Sequence, residues 1–366
     1  MDSININQKT LLWLSANGIS NVKISKLLEY FGSTQELWDS FDGDKYNLSF
    51  LKTDTINKLS AGKNNFEEKV LGRLNCEKAN IVTIFDENYP EKLKQIEGAP
   101  YLLYYKGNFD SINNISIAVV GSRKATSYGK WAAEKLTKEL SGIGVNIVSG
   151  LAVGIDTIAH KTALKYNAKT FGIIGCGINV VYPKKNIELF KLISENNGAV
   201  ITEYPFDTQP VAFNFHDRNR IISGLSDGVL VIEAQEKSGT LITAGHAANQ
   251  GREIFAVPGN IDSLYSKGTN ALIRDGAKIT TSIDDIIEEI IELNERLKLK
   301  NAFIDYSKLT DDELKIVNCL RTGKNTIDEV GQETKIDTGQ LLSNLTLLEM
   351  KGVIIQVSAN KIVLSV

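Results

Sequence analysis

Apolar residues change their period along the chain, and the changes divide it. Leu11, Leu12 and Leu14, then Ile24, Leu27, Leu28 and Phe31, recur at helical spacing, with Gly18 and Gly32 as stops. Residues 1–75 therefore read as short helices around a glycine turn. They fit either a helix-hairpin-helix or SAM-like module or a small packing domain, and Asn17-Gly18-Ile19 lacks the second glycine usual in the hairpin form. Residues 76–115 form a connecting segment. Its strands are Ile81 to Ile84 and Leu102 to Tyr105, and its turns Tyr89-Pro90, Ala99-Pro100 and Gly107-Asn108.

From Ser116 the pattern becomes short, continuous apolar runs: 117–120, 145–148, 170–174, 199–202, 228–233 and 253–257. Runs without alternation predict strands buried on both faces. Helical patterns separate them, at 128–140, through Leu164, at 186–195 and up to Asn249. Strands alternating with helices predict an α/β, Rossmann-like, mostly parallel sheet with helices on both faces, spanning 116–296. Ligands of such sheets bind at the carboxyl ends of the strands. After an amphipathic stretch at 283–296 and a polar linker at 297–308, residues 309–366 predict a winged helix. Its helices are 312–320, 326–333 and 338–351, and its hairpin pairs 353–357 with 361–364 across a turn at Ala359-Asn360.

The glycine-bearing turns fall at the carboxyl edge. Gly121-Ser122-Arg123 follows one buried strand, and Ser238-Gly239-Thr240 follows another and opens a helix. Gly121 permits close backbone approach, Ser122 can cap the next helix or bind an oxygen, and Arg123 suits bidentate phosphate contact; a turn serine and a solvated arginine are the plain alternative. Between the turns lies the run 213–220, with Phe213, Phe215, His216, Arg218, Asn219 and Arg220. Backbone N–H groups at helix starts, arginines and aromatic rings together suit a phosphate joined to a stackable base. Tyr182 either stacks on such a base or packs, and Asn186 reads as a helix cap. Asp156 and His160 stand one helical turn apart, and we read them as fixing the Gly150–Gly154 turn rather than as a catalytic pair. Cys176 reads as filler of a tight turn rather than as a nucleophile.

Composition narrows the partners. The 366 residues are 42% hydrophobic and 23% charged, with net charge -3, so nucleic acid would bind through a local basic groove rather than the overall field. No signal peptide or membrane-spanning run is visible, and three scattered cysteines point to a reducing cytoplasm. Residues 308–366 carry seven Lys/Arg against eight Asp/Glu, and the helix 338–351 holds only Lys351 as a base. That balance favours protein contact over duplex reading, and weakens a transcription-factor reading. No dinucleotide fingerprint, P-loop or metal-ligand spacing occurs: Gly175-Cys176-Gly177 is followed by Val180 where the third fingerprint glycine would stand.

Seven motifs occur in order: G-S-R at 121–123, S-G-x-A-x-G-I-D-x-x-A-H at 149–160, G-x-x-x-x-Y-P-x-x-N at 177–186, E-Y-P at 203–205, F-x-x-R-N-R-I-I-x-G-L at 215–225, S-G-T-L-I-T-A at 238–244 and G-R-E-x-F-A-V-P-G-N at 251–260. As a set they resemble the DNA-processing protein A family (DprA, also called Smf), strongly over 116–279. The resemblance implies a non-catalytic recombination mediator without cofactor or metal. Such a protein binds single-stranded DNA, is a homodimer through the Rossmann-like domain, and loads RecA recombinase on strands that carry single-strand-binding protein, during natural transformation. On that reading Gly121, Ser122, Arg123, Phe213, Phe215, Arg218, Asn219 and Arg220 line the DNA groove, and backbone at Ser238, Gly239 and Thr240 cradles phosphate. His216-Asp217 stands where the family often has proline and a further basic residue, which bears on the groove's affinity and pH response. The rival is a nucleotide-processing phosphoribohydrolase of related fold. That class carries a P-G-G-x-G-T loop where this chain has Lys237-Ser238-Gly239-Thr240, and Glu233 would be its acid.

Overall fold

The computed structural model describes residues 4–42, 48–196, 198–302, 309–358 and 360–364. They form two compact units, one to Ile290 and one from Ile291. In the first, the apolar runs become strands β1 (Asn80–Thr83), β2 (Leu102–Gly107), β3 (Ser116–Val120), β4 (Asn146–Ser149), β5 (Thr170–Ile173), β6 (Ala199–Thr202), β7 (Gly228–Val231), β8 (Glu253–Ala256) and β9 (Lys278–Ile279). They make one nine-stranded sheet in the order β1-β2-β6-β5-β4-β3-β7-β8-β9. From β6 to β9 every pairing is parallel. Every residue of β3 to β7 is buried, as runs without alternation require.

Two strands expected in a connecting segment extend this sheet. β1 pairs antiparallel with β2, and β2 antiparallel with β6. The chain leaves β3 in one direction to β4, β5 and β6, and later returns to its other side as β7. The carboxyl ends of β3 and β7 therefore flank the topological switch point, where open α/β sheets leave a crevice.

The N-terminal helices include Ile6–Ala16, Asn21–Phe31, Thr34–Ser40 and Thr53–Asn64. Gly18 and Gly32 end the first two with φ of +74° and +84°. Their apolar faces bury Leu11, Trp13, Leu27 and Leu59 in a core shared with Tyr104 of β2, Val200 of β6 and Ile193 of the helix Ile187–Glu195. The Tyr104 hydroxyl and Ser15 Oγ are 3.0 Å apart, and Asn21 Nδ2 donates to Glu203 at 2.9 Å. The helical layer is thus fixed to the sheet.

In the second unit, helices Asp311–Arg321, Ile327–Thr334 and Thr338–Met350 precede β10 (Ile354–Ser358) paired antiparallel with β11 (Lys361–Leu364), a winged helix. Ile316, Val317, Val330, Leu341, Leu345 and Leu348 form its core. The polar linker expected at 297–308 is partly helix, since Ile291–Ala302 continues through its first half. Its charged, proline-free sequence has ordinary helix propensity. Residues 303–308, and Ala359 of the expected hairpin turn, lie outside the described residues.

Candidate nucleic-acid interface

A cleft of about 480 Å³ opens at the switch point. Gly121, Ser122 and Arg123 line one side and Ser238, Gly239 and Thr240 another, so the two turns face one space. Phe215, Arg218 and Asn219 line it from the helix Ala212–Gly224. The sequence shows 213–220 as one basic-aromatic run, but the helix sorts it by face. Positions 215, 218, 219 and 222 recur at three- and four-residue steps and meet the cleft, and His216 lines it beside Phe215. Phe213 and Arg220 lie on other faces. Phe213 is 75% exposed and outside the cleft.

The three arginines differ. Arg123 is exposed and forms no ion pair among the described residues; its guanidinium sits 5.9 Å from the Phe215 ring centre. Lys124 beside it is also exposed. Arg218 is 4% exposed, and its Nη1 donates to Gly150 O at 2.8 Å and to Ile173 O. Burial lowers its pKa to about 10, against the pull of Asp156. Arg220 pairs with Glu203 at 2.5 Å and Asp217 at 3.2 Å. Arg218 and Arg220 thus brace the carboxyl ends of β4, β5 and β6, and Arg123 carries the open charge.

Local sequence explains these positions. Gly154 has φ of +87°, and a Cβ there would strike the backbone of Ser122 and Arg123. The turn after β4 can therefore lie directly against the turn after β3, joined by Ile155 N donating to Ser122 O at 3.2 Å. Asp156 accepts from Gly150 N at 3.1 Å and Ala152 N at 3.4 Å, so it fixes this turn as the sequence suggested. Burial raises its pKa to about 6, although Arg218 opposes this.

His160 does not join Asp156. It packs toward the sheet, with Nδ1 2.7 Å from Thr170 Oγ1. Thr170 Oγ1 in turn donates to Ile147 O at 2.9 Å, so Nδ1 carries the proton. Burial holds the ring's pKa near about 3.

Other expectations are corrected. Ser122 does not cap the helix Ser127–Gly142; its Oγ accepts from Lys124 N at 3.1 Å within the turn, and Thr126 is the cap. Asn186 caps nothing with its side chain. Instead its Nδ2 donates to Leu151 O at 2.8 Å and Thr157 Oγ1 at 2.9 Å, holding a residue with φ of +54°. Ser238 does cap, accepting from Thr240 N at 3.1 Å. Cys176 is buried and donates to Val180 O at 3.1 Å, a filled turn, and burial pushes its thiol to about 11. Tyr182 is 44% exposed, with its ring centre 5.4 Å from that of Phe215, so the two form one aromatic step at the cleft.

Glu233 lies outside the cleft's lining. It is 2% exposed and accepts from Thr126 N at 3.0 Å and Thr126 Oγ1 at 2.5 Å. Gly129 makes room, since a Cβ there would overlap the Glu233 carboxylate. A carboxylate at a helix N-terminus is stabilised by the helix dipole. Among the described residues no cluster of His, Cys, Asp and Glu suits a metal ion, and no helix is long and apolar enough to cross a membrane. Sequence reasoning missed Lys124, Tyr265 and Gln235, which also line the cleft. Lys124 and Gln235 are legible as neighbours of the two turns, but nothing local to Tyr265 announces it.

The family model described as DNA recombination-mediator protein A matches residues 80–291, and that described as DprA winged helix domain matches residues 305–360. The DNA processing protein DprA of Streptococcus pneumoniae is 40% identical over 276 residues, covering 75% of this chain and 95% of that protein. That of Bacillus subtilis is 41% identical over 244 residues, 65% of this chain and 82% of that protein. The X-ray structure of the S. pneumoniae protein aligns with a TM-score of 0.65 at 38% identity, over 79% of this chain and 99% of that one. A Helicobacter pylori DprA structure, described as giving insight into a single-stranded DNA binding mode, aligns with a TM-score of 0.53 at 30% identity, over 60% and 96%. With a switch-point cleft built from the motifs at 121–123, 149–160, 215–225 and 238–244, and a winged helix behind it in sequence, the chain belongs to the DNA recombination-mediator protein A family.

Proposed function

We propose that the chain binds single-stranded DNA at the switch-point cleft, without catalysis and without cofactor, as a cytoplasmic recombination mediator. The observation that carries this reading is the exposed pair Arg123 and Lys124, which form no ion pair among the described residues, between two glycine-bearing turns and beside the Phe215–Tyr182 step. Arg123 holds a phosphate bidentately, N–H groups at 121–122 and 238–240 cradle it, and Phe215 stacks a base. Arg218, Asn219 and Arg220 position these groups, and Asn219 does so by donating to Gly239 O at 3.3 Å. Phe213 contributes from outside the cleft, as an exposed ring one helical face away. The single-stranded DNA in the description of the H. pylori relative supports the ligand. Loading of RecA on strands that carry single-strand-binding protein, homodimer formation through the Rossmann-like unit, and a role in natural transformation belong to the same reading.

The phosphoribohydrolase alternative needs an acid at the reacting centre. Glu233 is already engaged by both donors of Thr126 and points under the helix Ser127–Gly142, which disfavours that role. The test is titration of labelled oligothymidylate by anisotropy at several salt concentrations. Arg123→Ala should weaken binding about fivefold at ~0.1 M salt and reduce the salt slope by about 0.7, one single-strand phosphate contact. An unchanged affinity and slope in a folded variant refutes the assignment of the cleft. Multiple-turnover base release from nucleoside monophosphates, abolished in Glu233→Gln, would instead establish the hydrolase.

A further inference from the structure

A second cavity, of about 360 Å³, lies between the N-terminal helices and the loop after β6. Lys58, Lys69 and Arg73 line it from the helical side, and Pro205 and Phe206 from the sheet side. It repeats the composition of the first cleft, with bases arranged round an aromatic ring. The Arg73 guanidinium stands 5.0 Å from the Phe206 ring centre and pairs with Asp207 at 2.6 Å. Asp207 and Asn179 are joined both ways, at 2.8 Å and 2.9 Å, which ties the loops after β5 and β6 into one floor. Arg73 thus neutralises the acid in the floor. Lys58 and Lys69 are exposed and pair with no carboxylate among the described residues, so the cavity keeps an uncompensated positive charge.

Its place on the sheet identifies the occupant. β3, β4, β5 and β6 run parallel, so Phe206 after β6 and Arg123 after β3 stand on the same carboxyl edge. Three strand spacings separate them, roughly 14 Å at ~4.8 Å each. About four nucleotides cover that distance even at the duplex rise of ~3.4 Å. The interval is furnished as well: the exposed ring of Tyr182 lies beside Phe215, and Lys184 and Lys185 are exposed where the next helix begins.

We infer that the N-terminal helical layer is part of the nucleic-acid site: Lys58, Lys69 and Phe206 form a second pocket that takes phosphate and base of the same single strand, a few nucleotides from the Arg123 cleft. This rests on the function proposed above and extends it from one cleft to a track along the sheet edge. The helical layer can serve this way because Trp13 Nε1 donates to Leu59 O at 2.9 Å, fixing the helix that presents Lys58.

The experiment compares two oligothymidylates on the full chain, one of about three nucleotides, too short to join the two pockets at ~3.4 Å per nucleotide, and one of about twenty. In Lys58→Ala/Lys69→Ala the longer strand should bind roughly 25-fold more weakly at ~0.1 M salt, with a salt slope smaller by about 1.4, two single-strand contacts. The shorter strand, which the first cleft alone accommodates, should bind as before, and Lys58→Arg/Lys69→Arg should bind both strands as the parent does. Arg123→Ala should weaken both lengths. If the double alanine variant binds both lengths like the parent while Arg123→Ala weakens both, the second pocket is refuted and the first cleft stands. If the double variant weakens both lengths equally, the lysines act through general charge and the track is refuted. If Arg123→Ala changes neither length, the proposed function falls, and the track with it.

Discussion

The cleft and the winged helix both present a helix that sequence alone would nominate for DNA, and they treat their basic residues in opposite ways. At the cleft, Arg123 and Lys124 are exposed and form no ion pair among the described residues, while the buried Arg218 and Arg220 are consumed in bracing. On the winged helix, the one base at the end of the helix Thr338–Met350 is Lys351, which binds the 1%-exposed Glu313 through both carboxylate oxygens at 2.7 and 2.8 Å. Lys315 pairs with Asp312 at 2.8 Å, and Lys324 pairs with Glu333. The same helix exposes Leu342, Leu347 and Met350 instead. Counting bases would rank the two regions alike. What separates them is how many bases remain unpaired beside donors that a phosphate can use.

The largest effect expected from this contrast is on stability. Arg218 is buried, and removing it takes a donor from two backbone carbonyls and leaves the buried Asp156 without its compensating charge. Breaking such buried charge networks costs about 3–5 kcal/mol. Arg218→Ala should lose that much in urea unfolding, whereas Arg123→Ala should stay within ~0.5 kcal/mol, as exposed substitutions do. Equal, small losses from both would erase the distinction between bracing and binding arginines.

How far the sequence discloses these roles depends on what each role requires. Strands buried on both faces, the glycine turns and the winged helix follow from local pattern, because burial on both faces and tight turns restrict residue type directly. The split among Arg123, Arg218 and Arg220 does not, because it depends on helical phase and on Glu203, a residue of a distant loop. His160 is similar: helical spacing offers Asp156, but the nearer partner is Thr170, brought over by β5. The continuation of the sheet into β1 and β2 is equally hidden, since short antiparallel strands carry no signature of which neighbour they will take.

A middle-sized effect tests the buried floor beneath the cleft. Burial takes the pKa of His160 from 6.5 to about 3. Between those values the unfolded chain binds a proton that the folded chain refuses, so stability is whole above pH 6.5 and declines as pH falls. Asp156 acts oppositely: raised from 3.8 to about 6, it takes its proton first in the folded state as pH drops. Comparing the parent with His160→Asn, which keeps a donor for Thr170, cancels the Asp156 contribution. The stability difference should shift against the parent by about 1.4 kcal/mol between roughly pH 7.5 and 5.5. Denaturation curves at the two pH values measure it, and a constant difference would mean that His160 is protonated in the fold.

The smallest expected effect concerns the winged helix, where the comparison is most exposed to failure. Residues 291–366 carry ten bases and eleven acids, so their removal takes away almost no net field. At least three of the bases are already held by carboxylates. Single-strand affinity scales with phosphates neutralised, and a unit that neutralises none should leave both affinity and salt slope in place. A chain ending at Ile290, the boundary of the first compact unit, should therefore bind oligothymidylate within about twofold of the parent, with a slope changed by less than the ~0.7 of one contact. The apolar stripe of Leu342, Leu347 and Met350 would then be free for a protein partner, and Leu342→Glu/Met350→Glu should likewise leave DNA binding unaltered. If the shortened chain is folded by circular dichroism and yet binds tenfold or more weakly, the winged helix contributes contacts that its pairing pattern conceals, and unpaired charge is the wrong guide to where this protein meets DNA.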